Sequence, residues 1–446
     1  MEAANSQNWV NQIRLDFPSL GYLYDGKPPV YFDNACTTLV PQRVISAMNE
    51  YYERYPACGG WRSRHLFASE VRKRVEGDIE SGLEGARARI QKFINAKLPQ
   101  EIIFTSNTTH SINLVALGFN FRAGDTVLIS DHEHNSNLIP WLRLQKRGLI
   151  NLEHLDSLDD FHFNIEALEK RLSAGRVRLI SLAYTSNLTG YTLPAQQIIK
   201  IAHNHGARVL LDAAQSVPHQ LIDVQEMGVD FLAFSIHKMC GPKGVGILYT
   251  RNELLVDKKG SEDVLEPVIL GGGTVKDASY TDYSLLDSPE RFEAGVQDYP
   301  GQIAAGIAAD YISSIGFRRI QEQERILNQY LNNQLMERYA ATGWFKILGP
   351  QDPEERGGIL TFDVRRPNAV GISDELNKTS NIMLRDGAFC VHSYLNHILG
   401  KGWSEPRLPS QHRMVYRVSL YFYNTLDECR LFVDSLDNIF RERGYI

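Results

Sequence analysis

Short apolar runs rich in β-branched residues alternate with longer amphipathic stretches through the first part of this chain. Most runs are four to six residues long, which is typical of buried strands rather than helices. The seven candidate strands are residues 101–105, 126–130, 151–154, 178–183, 208–212, 231–235 and 246–249. Because strands that alternate with helices form parallel sheets buried on both faces, the pattern predicts an α/β protein with a largely parallel sheet.

Amphipathic segments between these strands predict helices. They cover residues 41–55, 69–95, 111–118, 165–174 and 195–205. A long helical segment, 301–339, then precedes candidate strands at 358–364, 382–384 and 415–420 and a final helix at 426–441. We interpret this last part as a smaller α+β domain. The predicted division is an N-terminal segment, 1–30, that packs with the small domain, a large domain, 31–300, and the small domain, 301–446.

Composition excludes several classes of protein. The net charge of -6 gives no electrostatic reason to expect nucleic acid or an anionic membrane as a partner. No apolar run approaches the roughly 18 residues that span a bilayer, and the polar N-terminus lacks a secretory pattern. Five cysteines without metal-ligand spacing indicate reduced thiols, no metal site and a cytoplasmic location. A charged segment, 257–266, has the character of a loop.

A lysine loop carries the first chemical signal. Lys238 follows the strand at 231–235, among small, hydroxylated and Gly-rich residues, and Asp212 ends the strand before it. A Schiff-base lysine and an acidic partner for a pyridinium nitrogen are what pyridoxal phosphate chemistry requires. Taken singly, Asp212 could be a helix N-cap and Lys238 a solvated charge. Ser235 and His237 flank the lysine, and either could donate to a phosphate.

Two further segments follow strand ends. Residues 105–113 contain Thr108 and Thr109 at the start of a helix, where backbone N–H groups and hydroxyls can bind an anion, although such residues are also ordinary N-caps. His132 and His134 follow the strand at 126–130, and an imidazole there could stack on a flat ring. A surface loop or a zinc pair is the alternative, but no third ligand accompanies them.

Several separated motifs match, in the same order, those of one known family. They are residues 31–35, 103–116, 133–141, 185–190, 212–215, 235–238, 291–295 and 419–425. On these motifs the chain resembles the aminotransferase class V family, and within it the cysteine desulfurases and selenocysteine lyases. The resemblance covers nearly the whole chain, and it implies fold type I of the pyridoxal phosphate enzymes, with a mainly parallel seven-stranded sheet in the large, cofactor-binding domain.

The resemblance also implies a role for each matching residue. The cofactor would be bound by Lys238 as Schiff base, His134 stacked on the ring, Asp212 at the pyridine nitrogen, Gln215 at the ring oxygen, Asn187, and Thr108, Thr109, Ser235 and His237 at the phosphate. Asn187 and Arg417 would bind the substrate carboxylate, since a guanidinium holds a carboxylate through two hydrogen bonds. Family members are commonly homodimers, and Thr274 would reach a phosphate across the subunit interface.

Cys390 matches the mobile-loop cysteine of the desulfurases. The resemblance therefore implies conversion of L-cysteine to L-alanine, with sulfur carried as a Cys390 persulfide toward a sulfur-acceptor protein, and His392 could assist the thiol. The alternatives on the same cofactor are a C–S lyase acting by β-elimination, a selenocysteine lyase and an aminotransferase. A lone cysteine is also often only a small buried hydrophobic residue.

The chain departs from the family pattern at several thiols. Cys36 replaces the usual alanine of the family's Asn-Ala-Ala motif, and Cys240 follows the lysine by two positions. Residues 58–65, beginning with Cys58, stand where relatives carry an Arg/His loop. Four of the five cysteines are therefore expected to line the site, leaving Cys429 on a terminal helix. Which thiol handles sulfur stays open.

Overall fold

The computed structural model describes residues 2–59, 63–256, 263–366, 368–399 and 414–446. Residues 257–262 of the predicted loop and residues 60–62 of the segment that begins at Cys58 lie outside the described residues. Within those ranges, no helix is both long enough and apolar enough to cross a membrane.

The strands and helices are numbered here in chain order. The strands are β1 Val30–Tyr31, β2 Ile102–Thr105, β3 Thr126–Ser130, β4 Asn151–Leu155, β5 Val177–Ala183, β6 Arg208–Asp212, β7 Phe231–Ser235, β8 Gly246–Thr250, β9 Val275–Ala278, β10 Tyr283–Leu285, β11 Phe345–Leu348, β12 Ile359–Val364, β13 Ile382–Met383, β14 Arg385–Asp386 and β15 Met414–Ser419. The α-helices are α1 Glu2–Arg14, α2 Gln42–Arg54, α3 Leu66–Glu76, α4 Ala86–Phe93, α5 Thr108–Gly118, α6 Asn135–Lys146, α7 Ile165–Ser173, α8 Ala195–Asn204, α9 Val224–Met227, α10 Tyr299–Ile315, α11 Phe317–Tyr339, α12 Ile372–Ser380, α13 His392–Leu399 and α14 Leu426–Glu442.

The seven predicted strands form one sheet, in the order β2-β8-β7-β6-β5-β3-β4. Strand β8 runs antiparallel to both of its neighbours, and the other pairings are parallel. Successive residues of a strand enter different cores: Leu210 packs in one, while Val209 and Leu211 pack in the other. Burial on both faces explains why six of these strands have nearly continuous apolar sequences, whereas the edge strand β4 is partly exposed. The predicted α/β class is confirmed.

Two of the predicted helices are broken by glycines. The segment 69–95 forms α3 and α4, because Gly77 leaves the helix at a φ of +99°. A Cβ on Gly85 would lie 2.3 Å from the Gly77 nitrogen, so the turn between the helices closes only without side chains there. The segment 301–339 likewise divides into α10 and α11 at Gly316, whose φ is +87°. The sequence pattern did not predict helices α1, α6, α9, α12 and α13 or strands β1, β9, β10, β11 and β14.

The C-terminal strands form a second sheet of order β11-β12-β15-β14, in which every pairing is antiparallel. Strand β1 pairs in parallel with β13, which attaches the N-terminal segment to this region. Ile303 and Ile312 of α10 pack in a core of the large sheet, whereas Leu327 and Leu331 of α11 pack in the core of the small sheet. The domain boundaries drawn from the sequence stay a prediction.

A buried ion pair anchors the edge of the large sheet. Arg87 on α4 binds both carboxylate oxygens of Glu293, at 2.8 and 3.0 Å, and also binds Glu76. Arg87 donates to the Ile102 carbonyl oxygen at 2.7 Å, and Glu293 accepts from the Phe104 N–H at 2.7 Å. The pair therefore connects α4, strand β2 and the segment before α10.

We expect Glu293→Gln to lower the free energy of unfolding by about 3 kcal/mol, because the buried Arg87 guanidinium loses its buried carboxylate and keeps only the partly exposed Glu76. Urea denaturation of the purified variants measures this loss. Glu322→Gln is the matched control: it breaks a surface pair with Arg325 and should cost no more than about 1 kcal/mol. Equal losses in the two variants would contradict the assignment.

Candidate active site

A cavity of about 310 Å³ lies at the carboxyl ends of the parallel strands of the large sheet. Its wall contains all but one of the site residues predicted from the sequence. Those present are Thr108, Thr109, His134, Asn187, Asp212, Gln215, Ser235, His237, Lys238, Cys390 and Arg417. The structure thus brings together residues that lie up to hundreds of positions apart in the chain.

One end of the cavity is formed by the N-terminus of α5. The Ser235 hydroxyl accepts a hydrogen bond from the Thr108 N–H at 2.8 Å and bonds the Thr108 hydroxyl at 2.6 Å. A Cβ on Gly246 would lie 2.5 Å from the Asn107 Cα, so glycine allows the start of the helix to rest on β8. Hydroxyls and the positive end of a helix dipole therefore meet at one point, which suits an anion.

Asp212 and Lys238 form the charged centre of the cavity. Asp212 ends β6, and its carboxylate accepts from the Ala214 N–H at 3.0 Å. Burial raises the pKa of Asp212, while the charge of Lys238 acts in the opposite sense. Burial lowers the pKa of Lys238, and Asp212 opposes that shift. The lowered pKa of the amine favours a nucleophile and base.

His134 caps the N-terminus of α6. Its Nδ1 accepts from the Ser136 N–H at 3.1 Å and bonds the Ser136 hydroxyl at 3.0 Å. Burial, with the cations Lys238 and Arg417, lowers the pKa of His134 to about 3. The ring is therefore neutral near neutral pH, and a neutral aromatic ring is suited to stacking on a flat cofactor.

A buried carboxylate holds His134 in place. Glu133 accepts from the Ser130 hydroxyl and the Asn137 amide, both at 2.6 Å, and from the Ala183 N–H at 2.9 Å. These partners belong to β3, α6 and β5. Burial raises the pKa of Glu133 to about 7. Within the motif at 133–141, Glu133 therefore has a structural role, whereas His134 lines the cavity.

Gln215 leaves one polar atom of the cavity wall unsatisfied. Its Nε2 donates to the Ala35 carbonyl oxygen at 2.7 Å, whereas no group of the described residues donates to its buried Oε1. A buried acceptor without a donor indicates a place for a ligand group. Together with Asp212 and the anion site at Thr108, this acceptor fits a flat, phosphorylated pyridine cofactor such as pyridoxal phosphate.

Arg417 crosses from the small sheet to the cavity. The guanidinium donates to the Asn187 carbonyl oxygen at 3.0 Å and to Asp33 at 3.1 Å, and it lies 4.8 Å from the centroid of the Phe389 ring. Its Nε is buried and has no acceptor among the described residues. A buried cation with an open donor is therefore available to an anionic ligand.

Cys390 stands in a strained loop. Phe389 and Cys390 both adopt left-handed backbone conformations, with φ of +49° and +59°. Two hydrogen bonds hold them: the Cys390 carbonyl oxygen accepts from the Asn135 N–H at 2.7 Å, and the Phe389 carbonyl oxygen accepts from the Asn187 amide at 2.8 Å. His392 contacts the Asn135 amide at 3.0 Å through its Nδ1.

The five cysteines, all within the described part of the chain, have different surroundings. Cys36 and Cys390 line the cavity. Cys240 is buried in a core and burial raises its pKa, so the expectation that it lines the site is wrong. Cys58 is exposed and borders a separate cavity with Gly272 and Gly273, so the expectation that it lines the site is wrong for this cavity as well. Cys429 is buried in the core of the small sheet.

Thr274 is the predicted site residue that the cavity of its own chain does not include. Its hydroxyl donates to the Gly271 carbonyl oxygen at 2.9 Å within the same loop. A role across a subunit interface stays a prediction. The sequence reasoning assigned no role to Arg385, which lines the cavity and donates to the Cys36 sulfur at 2.9 Å. Its only sequence signal is its place in the loop that leads to Cys390.

Comparison with known proteins finds one matching family and several relatives that are named cysteine desulfurases. The family described as aminotransferase class-V matches residues 30–432. A probable cysteine desulfurase of Halalkalibacterium halodurans is 34% identical over 98% of this chain and 99% of its own length. The apo structure of a cysteine desulfurase from Thermococcus onnurineus NA1 is 31% identical, with a TM-score of 0.84 over 97% of this chain and 98% of that one. The cysteine desulfurase CsdA of Escherichia coli, in an S-sulfonic acid form, is 27% identical, with a TM-score of 0.80 over 96% and 98%.

The lowered pKa of His134 makes the stability of the cofactor-free protein depend on pH. Between pH 6.5 and about 3, the unfolded chain binds a proton that the folded protein does not, so stability falls as the pH falls through this window. We expect His134→Asn to remove on the order of 2 kcal/mol of this loss, measured by urea denaturation across the window.

His162→Asn is the control of opposite sign. Hydrogen bonds from its ring to Glu355 and Asp160 raise the pKa of His162, so this group stabilises the fold at acid pH and the stabilisation is lost as the pH rises. Its replacement should therefore lower stability at the acid end. If the free energy of unfolding changed with pH in the same way in wild type and in His134→Asn, the prediction would be contradicted.

Proposed function

The chain belongs to the aminotransferase class V family, and from that premise we propose that it is a pyridoxal phosphate-dependent cysteine desulfurase, which converts L-cysteine to L-alanine. The observation that carries the proposal is the presence of Lys238 and Cys390 in one cavity with Arg417. A cofactor lysine, a thiol and a carboxylate-binding guanidinium are the three groups that this reaction needs.

The cavity residues would hold the cofactor at both ends. Lys238 would bind it covalently, Asp212 would pair with the ring nitrogen, and the unsatisfied Oε1 of Gln215 would accept from the ring hydroxyl. The phosphate would lie against the group at the start of α5, which comprises Thr108, Thr109, Ser235 and His237. When bound, the cofactor supplies an electron sink for negative charge at the substrate α-carbon.

The substrate carboxylate would bind Arg417. The guanidinium has two of its groups committed to Asn187 and Asp33, and its Nε is open. The side-chain amide of Asn187 donates to the Phe389 carbonyl oxygen. This hydrogen bond connects the proposed carboxylate site to the loop that carries Cys390. Binding of the carboxylate there would orient the substrate before sulfur is removed.

Lys238 would move the proton of the α-carbon. Its lowered pKa, caused first by burial, increases the fraction of free amine at neutral pH, and a free amine is able to accept a proton. His134 is neutral and does not compete as a proton donor, since its pKa is about 3.

Cys390 would take the sulfur. Its thiolate attacks the substrate sulfur, a sulfur–sulfur bond forms, and the bond between the substrate sulfur and the β-carbon breaks with its electron pair retained by carbon. Protonation of that carbon gives alanine, and Cys390 is left as a persulfide. The net change is L-cysteine plus a thiol to L-alanine plus a persulfide, which is balanced without an external oxidant.

We further propose a cytoplasmic homodimer that passes its sulfur to an acceptor protein. Family resemblance supports the dimer, and so does the exposure of the apolar residues Val268, Ile269 and Leu270 beside the loop that carries Thr274. In such a dimer Thr274 would contribute to the partner's phosphate site.

The reaction is tested by incubating the cofactor-loaded protein with L-cysteine and measuring alanine, pyruvate and sulfide together. We expect alanine without pyruvate; pyruvate and ammonia would indicate β-elimination and contradict the proposal. Cys390→Ala should lose alanine formation and keep the visible absorbance of the bound cofactor. Lys238→Ala should lose that absorbance, and Cys58→Ser, at an exposed thiol, should behave as wild type.

Arg417→Lys tests the carboxylate site. A lysine cannot reproduce the planar set of donors, so we expect the KM for L-cysteine to rise by about tenfold or more while cofactor absorbance is retained. Steady-state kinetics of alanine formation measure the change. Arg430→Lys, in an exposed pair on α14, is the matched control. An unchanged KM in the Arg417 variant would contradict the assignment.

A further inference from the structure

We propose that Cys36 is a second sulfur-carrying thiol, which takes the outer sulfur of the persulfide formed on Cys390. The proposal rests on the function proposed above, because it requires that persulfide. It assigns a role to a cysteine that stands where the family motif has alanine.

The position of Cys36 is fixed by its neighbours in the chain. The Ala35 N–H donates to the Ser419 hydroxyl at 2.9 Å, and the Asn34 amide donates to the Ser419 carbonyl oxygen at 2.7 Å. Both bonds attach this segment to the end of β15. The thiol, which is half-buried, is thereby held in the wall of the cavity that Cys390 also lines.

A guanidinium contacts the Cys36 sulfur. Arg385 donates to Sγ from Nη1 at 2.9 Å, and Arg385 belongs to β14, directly before the loop that carries Cys390. A hydrogen bond from a charged donor stabilises negative charge on sulfur, and the thiolate is the nucleophilic form of cysteine. Strand β14, which leads to the Cys390 loop, therefore also supplies the Arg385 guanidinium that contacts Cys36.

Cys36 lies near the cations of the cavity. Burial lowers the pKa of Lys238 and that of Arg417, and a negative charge on Cys36 would oppose both shifts, so the sulfur lies within electrostatic reach of both cations. Cys390 likewise raises the pKa of Lys238. Both thiols thus act on the same amine, at the centre of the site.

Sulfur transfer between the two thiols is balanced. The Cys36 thiolate attacks the outer sulfur of the Cys390 persulfide, and a new sulfur–sulfur bond forms on Cys36. The bond between that outer sulfur and Cys390 breaks, and its electron pair leaves with Cys390 as a thiolate. No oxidant or reductant is consumed. Cys390 is then free to take sulfur from a second L-cysteine before any acceptor arrives.

The test uses the cofactor-loaded protein, excess L-cysteine and no reductant. After rapid quenching, alkylation and proteolysis, mass spectrometry locates the extra sulfur, and the alanine burst is measured in parallel. We expect sulfur on both Cys36 and Cys390 and a burst of about two alanines per chain in wild type, against about one in Cys36→Ala. Alanine is the residue of the family motif, and Cys36→Ser is a second variant for the same comparison.

Three thiols outside the cavity are controls. Peptides that contain the buried Cys240 and Cys429 should remain without added sulfur, and Cys58→Ser should leave the burst unchanged. In Cys390→Ser, sulfur should be absent from Cys36; its presence would make Cys36 the primary nucleophile and overturn the relay. A Cys36–Cys390 disulfide with release of sulfide would also overturn it.

The experiment distinguishes failure of the proposed function from failure of the transfer to Cys36. If wild type forms no alanine, the proposed function is wrong. If alanine forms and Cys390 alone carries sulfur, with equal bursts in wild type and Cys36→Ala, the function stands and the relay is wrong.

Discussion

The buried guanidinium of Arg417 is the interaction on which the site depends. A charge removed from water must be paired, and the partners of this one, Asn187 and Asp33, come from two other parts of the chain. Burying Arg417 therefore draws the small sheet, the loop after β5 and the N-terminal segment against one another. The cavity is the space that remains between them, and Arg417 lines it.

The cavity concentrates positive charge and keeps its histidines neutral. Lys238, Arg385 and Arg417 all line it, so carboxylates, phosphates and thiolates are favoured there. Burial, with a smaller contribution from these cations, lowers the pKa of His134 to about 3, and burial together with Lys238 and Lys243 lowers that of His237 to about 4. The positive charge of the cavity therefore favours the binding of anions. The same charge and burial keep the two imidazoles neutral, as aromatic or hydrogen-bonding groups.

The Cys390 loop is coupled to the cofactor side of the cavity through backbone groups. The first N–H of α6, at Asn135, donates to the Cys390 carbonyl oxygen, and the preceding residue of the chain is His134. Helix α6 in turn is fixed by Glu133, which bridges β3 and β5. The strained conformation of the loop is therefore maintained by the same scaffold that orients His134, and the Cys390 thiol is positioned relative to the imidazole.

The sequence by itself determined the strands of the large sheet, since six of the seven are buried on both faces and so have apolar sequences that can be recognised segment by segment. The sequence also determined that Lys238, Asp212, Thr108 and His134 lie close together. Each follows or ends a strand, and strands that run in the same direction end at the same edge of a sheet. Only the tertiary structure decided which cysteines line the cavity and which are buried in a core. Cys36 and Arg385 are 349 positions apart, and only packing brings the guanidinium to that sulfur while Cys240, two residues from the lysine, points into a core. Contacts between residues far apart in the chain depend on the whole fold, and so does the burial of a single loop residue such as Cys240, so no local pattern encodes them.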